Sequence, residues 1–434
     1  MSAVTVTGSN DNAGGSGAGN GNTSVTKKHG NVASFKDAKT VTKGLVTIDT
    51  LGNEFKVPDY TIKTVLDAIP KQCYNRDLAR SLSYVARDIA VAVAFGLVAQ
   101  KTVPLLPNAY LRAAGWLAYA VLQSLPYTGL WVMAHECGHQ AFSDYGWVND
   151  TVGWVLHSYL MVPYFSWKYS HGKHHKATGH LTRDMVFVPP TREQFAHNRN
   201  VVTLSELAAD APLVTLKELL MQQFGGWICY LLTNVTGQPH PEVGNRWYSP
   251  LLKSHFNPAS PIFEKRDYWF IVLSDVGLLT QLFVLYEWVR HFGAFACFVH
   301  WFLPYVFTNH WLVFITYLQH SDVTLPHYED HEWNFARGAA ATIDREFGVV
   351  GSFFFHDIIE THVLHHYVSR IPFYNARVGT KAIREVMGDH YAHSDENMWL
   401  TLWKSGRYCQ FVEGSSGVKM FRNVNGLGVP PAKD

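Results

Sequence analysis

"FHDIIETHVLHHYVSRIPFYNA", residues 355–376, decides how the chain is read, because it sets His362, His365 and His366 in an HxxHH pattern. On a helix, positions i, i+3 and i+4 share one face, so the three imidazoles point the same way. Two relatives stand upstream, His171-Gly-Lys-His174-His175 and His135-Glu-Cys-Gly-His139. With 23 histidines in 434 residues, chance supplies about 0.06 HxxHH patterns per chain. This chain has two. Neutral imidazole suits iron, zinc, copper and nickel, and the clustering reads as metal ligation.

Working outward, the chain is 47% hydrophobic and 14% aromatic with only 16% charged residues. A soluble protein carries nearer ~25% charged, so long apolar runs are expected. A formal net charge of +1 and the lack of a basic stripe argue against a nucleic-acid partner. Five scattered cysteines without any CxxC form no disulfide framework and no zinc ribbon, and they fit a reducing cytosolic face. No signal peptide is expected, since the first residues lack an apolar core and a cleavage site.

Residues 1–40 are mostly Gly, Ser, Asn, Thr and Lys and cannot bury enough surface to offset their ordering entropy, so a disordered N-terminal tail is expected. A short amphipathic helix is expected over 61–68. Four apolar segments follow, at about 89–106, 110–134, 269–289 and 294–318. Each is close to the ~20 residues that cross a ~30 Å hydrocarbon core. The run 152–165 is short for a span and reads as interfacial or re-entrant, and the run 227–232 is shorter still. The expected fold is an all-α integral membrane protein with four transmembrane helices and a cytosolic helical cap that carries the histidine boxes. Its domain would cover 41–400, followed by a cytosolic tail over 401–434.

Two spans separate the third histidine cluster from the first two, so all three lie on one side of the membrane. Lys168, Lys173, Lys176, Arg183, Arg192 and Arg199 in the intervening loop place that side, and both termini, in the cytosol by the positive-inside tendency. Cluster one alone is ambiguous, because His135-Glu136-Cys137-Gly138-His139 also matches the HExxH of zinc proteases. That chemistry needs one further ligand and leaves most of the other cluster histidines without a purpose. Eight imidazoles suit two metals better than one, and two irons held by nitrogen can activate O2, which redox-inert zinc cannot. Glu136, Asp184, Asp357 and Glu360 are close enough in sequence to orient the ligands by hydrogen bonding. Cys137 reads as a small packed residue. His157, His255, His291 and His310 read as core or interfacial residues.

The words "AHECGHQAFSDY", "SWKYSHGKHHKATGHLTRDMVFVP", "EWNFARGAAATIDREFG" and "ETHVLHHYVSRIPFYNA" resemble the membrane-bound fatty acid desaturase family, and within it the fungal Δ12 (oleate) desaturases. The likeness runs from about residue 56 to about 391. It implies that His135, His139, His171, His174, His175, His362, His365 and His366 ligate two iron ions. It implies a further ligand at His320, a place from which stearoyl-CoA desaturases supply one. Those enzymes also carry an Asn four residues earlier, where this chain has Thr316. Arg377-Val378-Gly379 departs from the acidic run of the Δ12 group. The activity implied is Δ12 (omega-6) desaturation of oleoyl to linoleoyl chains on the endoplasmic reticulum membrane, with electrons from cytochrome b5 and its NADH-dependent reductase. Omega-3 (Δ15) desaturation and hydroxylase or acetylenase variants use the same boxes and stand as alternatives, with the zinc protease behind them.

Overall fold

A computed structural model describes residues 43–201, 212–244 and 246–432; the expected N-terminal tail over 1–40 lies outside the described residues. Helices dominate, and the first three open where the sequence supplies a cap. Thr61 caps α1 (Ile62–Ala68), Asp77 caps α2 (Leu78–Thr102) and Asn108 caps α3 (Ala109–Gly138), each accepting a backbone N–H with its side chain. Next come α4 (Gly146–Tyr159), α5 (Tyr164–His175), α6 (Arg192–Asn198) and α7 (Pro212–Thr233). The short α8 (Ser249–Leu252) precedes α9 (Tyr268–Phe292). Then α10 (Ala294–Cys297) passes through a π-helical turn at Phe298–Phe302 into α11 (Leu303–His320), whose Pro304 at the first turn cannot donate to the preceding ladder. The last third holds α12 (Phe335–Ala340), α13 (His362–Tyr367), α14 (Phe373–Met387) and α15 (Met398–Tyr408).

Long helices cover all four apolar segments read from the sequence. By length and composition, Leu78–Leu105 and Lys265–Phe292 are apolar enough to cross a bilayer. On α9 the apolar side chains point outward, with Leu279 64% and Phe283 63% exposed, the reverse of a helix in water. The run 152–165 is not one segment. It is the end of α4, a reversal through Met161 in the left-handed region (φ 54°), and the start of α5. Gly153 permits that hairpin to close, because a Cβ there would stand 2.3 Å from the Tyr164 ring. The run 227–232 is the final third of a 22-residue helix, α7.

Short strands close the fold. Strand β1 (Val46–Ile48) pairs antiparallel with β2 (Glu54–Lys56). Strand β3 (His327–Tyr328) joins a three-stranded sheet ordered β3-β7-β6, with β6 (Phe411–Glu413) and β7 (Val418–Arg422). Between them in sequence, β4 (Asp344–Arg345) pairs in parallel with β5 (His393–Ser394). The segment expected as a C-terminal tail is therefore folded over its described part. Phe411, Val418, Met420 and Phe421 are fully buried, and Thr50 donates its hydroxyl to the Phe421 carbonyl at 2.9 Å. Its apolar residues alternate too briefly for a strong strand signal, and the pairing partner β3 lies some ninety residues earlier. The principal core gathers Trp131, Trp167, Trp227, Trp311 and Phe314 between α3, α5, α7 and α11.

Candidate metal centre

The three histidine clusters converge from α3, α5 and α13, joined by His320 at the last residue of α11. His135, His139, His171, His175 and His365 form one group, and His174, His320 and His366 another, the ligand atoms within each lying no more than 4.8 Å apart. His362 belongs with the second group through His320, Nε2 to Nε2 at 3.0 Å. Helical geometry explains the split. In each HxxHH box the i and i+4 residues serve one group, His171 and His175 the first and His362 and His366 the second. The i+3 residue, His174 or His365, crosses to the other, because it stands about 100° around the helix from its i+4 neighbour.

Seven of these nine side chains are buried, and several of their nitrogens lack ordinary partners. Nε2 of His139, His365 and His366 and Nδ1 of His135, His175 and His362 have no hydrogen bond. His171 Nε2 lies 3.3 Å from His135 Nε2 and 3.1 Å from His175 Nε2, a convergence of lone pairs that a cation would satisfy. Burial, reinforced by the neighbouring imidazoles, holds His171, His175, His362, His365 and His366 well below the usual histidine range. They stay neutral, the form that ligates. An all-nitrogen set of this size fits iron, and it fits two ions better than one.

Hydrogen bonding fixes which nitrogen is free. Asp184 accepts from His174 Nδ1 at 2.7 Å and from the amides of Val186, Phe187 and Gly179 at 2.9, 3.2 and 3.2 Å. His174 Nδ1 must therefore be protonated, leaving Nε2 for a metal. Thr178 spends its one hydroxyl proton on the His174 carbonyl at 2.8 Å. It can only accept from His366 Nδ1, 3.0 Å away, which again leaves Nε2 free. Thr178 was not anticipated, although it stands one turn beyond His174.

The other expected orienting carboxylates act elsewhere. Glu136 Oε2 accepts the Phe373 amide at 3.1 Å, and Oε1 lies 3.5 Å from His135 Nδ1. Asp357 pairs with Arg377 at 2.7 Å, so the basic residue that departs from the family pattern anchors the turn before box three. Glu360 accepts the Phe347 amide at 3.2 Å. Asp344, unanticipated, does position that box: it accepts the Val363 amide at 2.7 Å and the Tyr391 hydroxyl. Burial, partly offset by those bonds, pushes its carboxyl up to about 7. Cys137 is buried and free. His157, His255 and His310 are buried away from the two groups, while His291 is exposed.

An apolar cavity of about 150 Å³ abuts both groups, with His135, His171, His174, His320 and His362 on its wall. The rest of the wall includes Trp131, Trp167, Gly226, Trp227, Tyr230 and Val313. The α7 contribution was missed because no charged or histidine signal marks it; only its packing against α11 brings it here. Thr316 bonds the Leu312 carbonyl at 2.8 Å and borders the cavity.

The family model described as fatty acid desaturase matches residues 114–396. The chain is similar to an oleate hydroxylase of Claviceps purpurea, 47% identical over 88% of this chain and 85% of that protein. It is similar to a Δ(12) fatty acid desaturase of Mortierella alpina, 41% identical over 85% of this chain and 92% of that protein. A Δ(12)-fatty-acid desaturase of Arabidopsis thaliana is 40% identical over 82% of this chain and 88% of that protein.

Proposed function

The chain belongs to the fatty acid desaturase family, and from that premise we propose that it introduces the Δ12 double bond of oleoyl chains to give linoleoyl chains. One observation carries the reading: two groups of buried, neutral imidazoles meet on the wall of one apolar cavity. His135, His139, His171, His175 and His365 would hold one iron, and His174, His320, His362 and His366 the other. When bound there, a pair of irons supplies O2-dependent removal of two hydrogens from adjacent methylenes, with two electrons and two protons from outside and both oxygen atoms leaving as water.

The chain's own part is positional. Asp184 and Thr178 fix the tautomers of His174 and His366. Asp344 holds the first turn of α13, and the Trp131, Trp167 and Trp227 walls exclude water and confine an extended chain against the histidines. In this reading α2, α3, α9 and the α10–α11 segment cross the endoplasmic reticulum membrane, with the histidines and both termini on the cytosolic side. The outward apolar face of α9 and the basic loop residues support it. Cytochrome b5 and an NADH-dependent reductase would be the electron source, for the chain has no haem or dinucleotide motif of its own.

A second reading is hydroxylation of the same acyl group, favoured by the 47% identity to a protein named oleate hydroxylase. The zinc-protease reading finds no support in Glu136, which is engaged by the Phe373 amide and is absent from the cavity wall, where a general base would have to be. Expression in a eukaryotic host that makes only monounsaturated acids, followed by gas chromatography–mass spectrometry with double-bond-locating derivatives, tests the proposal. A diunsaturated acid with its second bond at Δ12 is expected. A hydroxylated product would move the assignment to the second reading, and conversion of supplied linoleate alone to a triene would make the protein an omega-3 desaturase.

A further inference from the structure

His174, His320, His362 and His366, the histidines of the second group, are all buried, so an electron from a partner reaches them through protein. Two of them are hydrogen-bonded to the surrounding chain. From His174 the bonds lead through Asp184 to the amides of Val186, Phe187 and Gly179. From His366 they lead outward. Its Nδ1 donates to the Thr178 hydroxyl at 3.0 Å, and the carbonyl of the same threonine accepts from Trp333 Nε1 at 2.9 Å. Thr178 and His366 are buried, whereas Trp333 is only half-buried. The indole stands in the turn between β3 and α12, near the start of the stretch "EWNFARGAAATIDREFG".

The surroundings of the indole bring it close to Thr178. Gly338 lies inside α12 without a positive φ, where glycine destabilises a helix relative to alanine. A Cβ there would stand 2.6 Å from the Thr178 carbonyl oxygen and 2.8 Å from Trp333 Nε1, so the missing side chain is what admits the two bonded atoms. The Arg183 guanidinium lies 5.0 Å from the centre of the Trp333 ring, and its side chain is 51% exposed. The ring therefore belongs both to the surface and to a line that ends on a ligand histidine. Electron tunnelling weakens steeply with distance, and less along covalent and hydrogen bonds than across gaps. A line from indole to carbonyl, hydroxyl and imidazole favours it.

We propose that Trp333 is the point at which electrons enter: a one-electron haem protein docks over its ring, and each electron passes by way of Thr178 to the metal that His366 would hold. The inference rests on the desaturase reading. Each encounter oxidises one ferrous haem to ferric and reduces the metal centre by one electron, with no bond or proton exchanged at the indole. Two encounters supply the pair that one turnover consumes.

The probe is the pre-reduced haem domain of cytochrome b5, mixed without O2 with detergent-solubilised holoenzyme while haem oxidation is followed by absorbance. Trp333→Phe, which keeps a ring but not its N–H, should slow haem oxidation several-fold. Gly338→Ala, which keeps the indole but forces it away from the Thr178 carbonyl, should slow it as well. Iron content, and the product of a single turnover started by O2 after chemical reduction, should match the wild type in both variants; a merely structural role would lower them along with the haem rate. Hydroxyl-radical footprinting of the holoenzyme should show Trp333 protected when the haem domain is bound. Wild-type haem oxidation by both variants, a parallel fall in iron content or single-turnover yield, or an unprotected Trp333 would overturn the entry point. A wild-type protein that forms no acyl product even after chemical reduction would overturn the desaturase reading and the entry point with it.

Discussion

Replacing Asp184 by Asn removes one charge and almost no volume, and its consequence can be worked from four contacts. The carboxylate accepts from His174 Nδ1 and from the Val186 and Phe187 amides with one oxygen, and from the Gly179 amide with the other. An amide has one acceptor oxygen, so its NH2 must face a donor whichever way it turns. The better orientation keeps the three-donor side and leaves the Gly179 N–H unpaired in a buried place, a cost of about 1–3 kcal/mol. The charge-assisted bond that holds His174 is weakened at the same time. Partners of this kind are worth about 10–100-fold in metal affinity, or roughly 1.4–2.8 kcal/mol. We expect Asp184→Asn to lose iron at a correspondingly lower chelator concentration. The assay is iron per protein by mass spectrometry after dialysis of detergent-solubilised enzyme against graded chelator. Asp357→Asn is the control: its carboxylate serves Arg377, its left-handed backbone (φ 59°) suits Asn, and its iron curve should match the wild type. An Asp184→Asn curve that overlies the wild type would refute the claim that this carboxylate sets the ligating form of His174.

Other outcomes follow from the same contacts. His365→Ala should abolish conversion while the protein still accumulates in membranes, as read by product analysis and immunoblotting; retained activity would remove that residue from the ligand set. Asp344→Ala leaves the Val363 amide unpaired and should lower stability by about 1–3 kcal/mol, whereas Asp344→Asn keeps an acceptor there; thermal unfolding in detergent would separate them. Ending the chain after Tyr408 removes Phe411, Val412, Val418, Met420 and Phe421, all fully buried. Their burial is worth on the order of 10 kcal/mol, comparable with a whole folding free energy of ~5–15 kcal/mol. The truncated chain should fail to give a monodisperse peak in fluorescence-detected size exclusion, and a normal peak would show the segment to be dispensable.

The sequence by itself determined what local spacing encodes. His135 and His139, and each HxxHH triplet, share a helix face because of the 3.6-residue period, so their convergence was legible before any tertiary contact was known. The apolar runs were legible for the same local reason, and α2, α3, α9 and α11 stand over them. The division of nine histidines between two groups required the relative placement of α5, α13 and the end of α11, which no spacing rule supplies. Proximity in sequence suggested four orienting carboxylates, yet only Asp184 bonds a box histidine directly. Asp344 and Thr178 perform that kind of work because β4 and the end of α5 are brought against α13. The wall that α7 gives the cavity was invisible for a similar reason. Its residues, Gln222, Gly226, Trp227 and Tyr230, include no histidine and no charge, and their role comes from where tertiary packing sets the helix against α11.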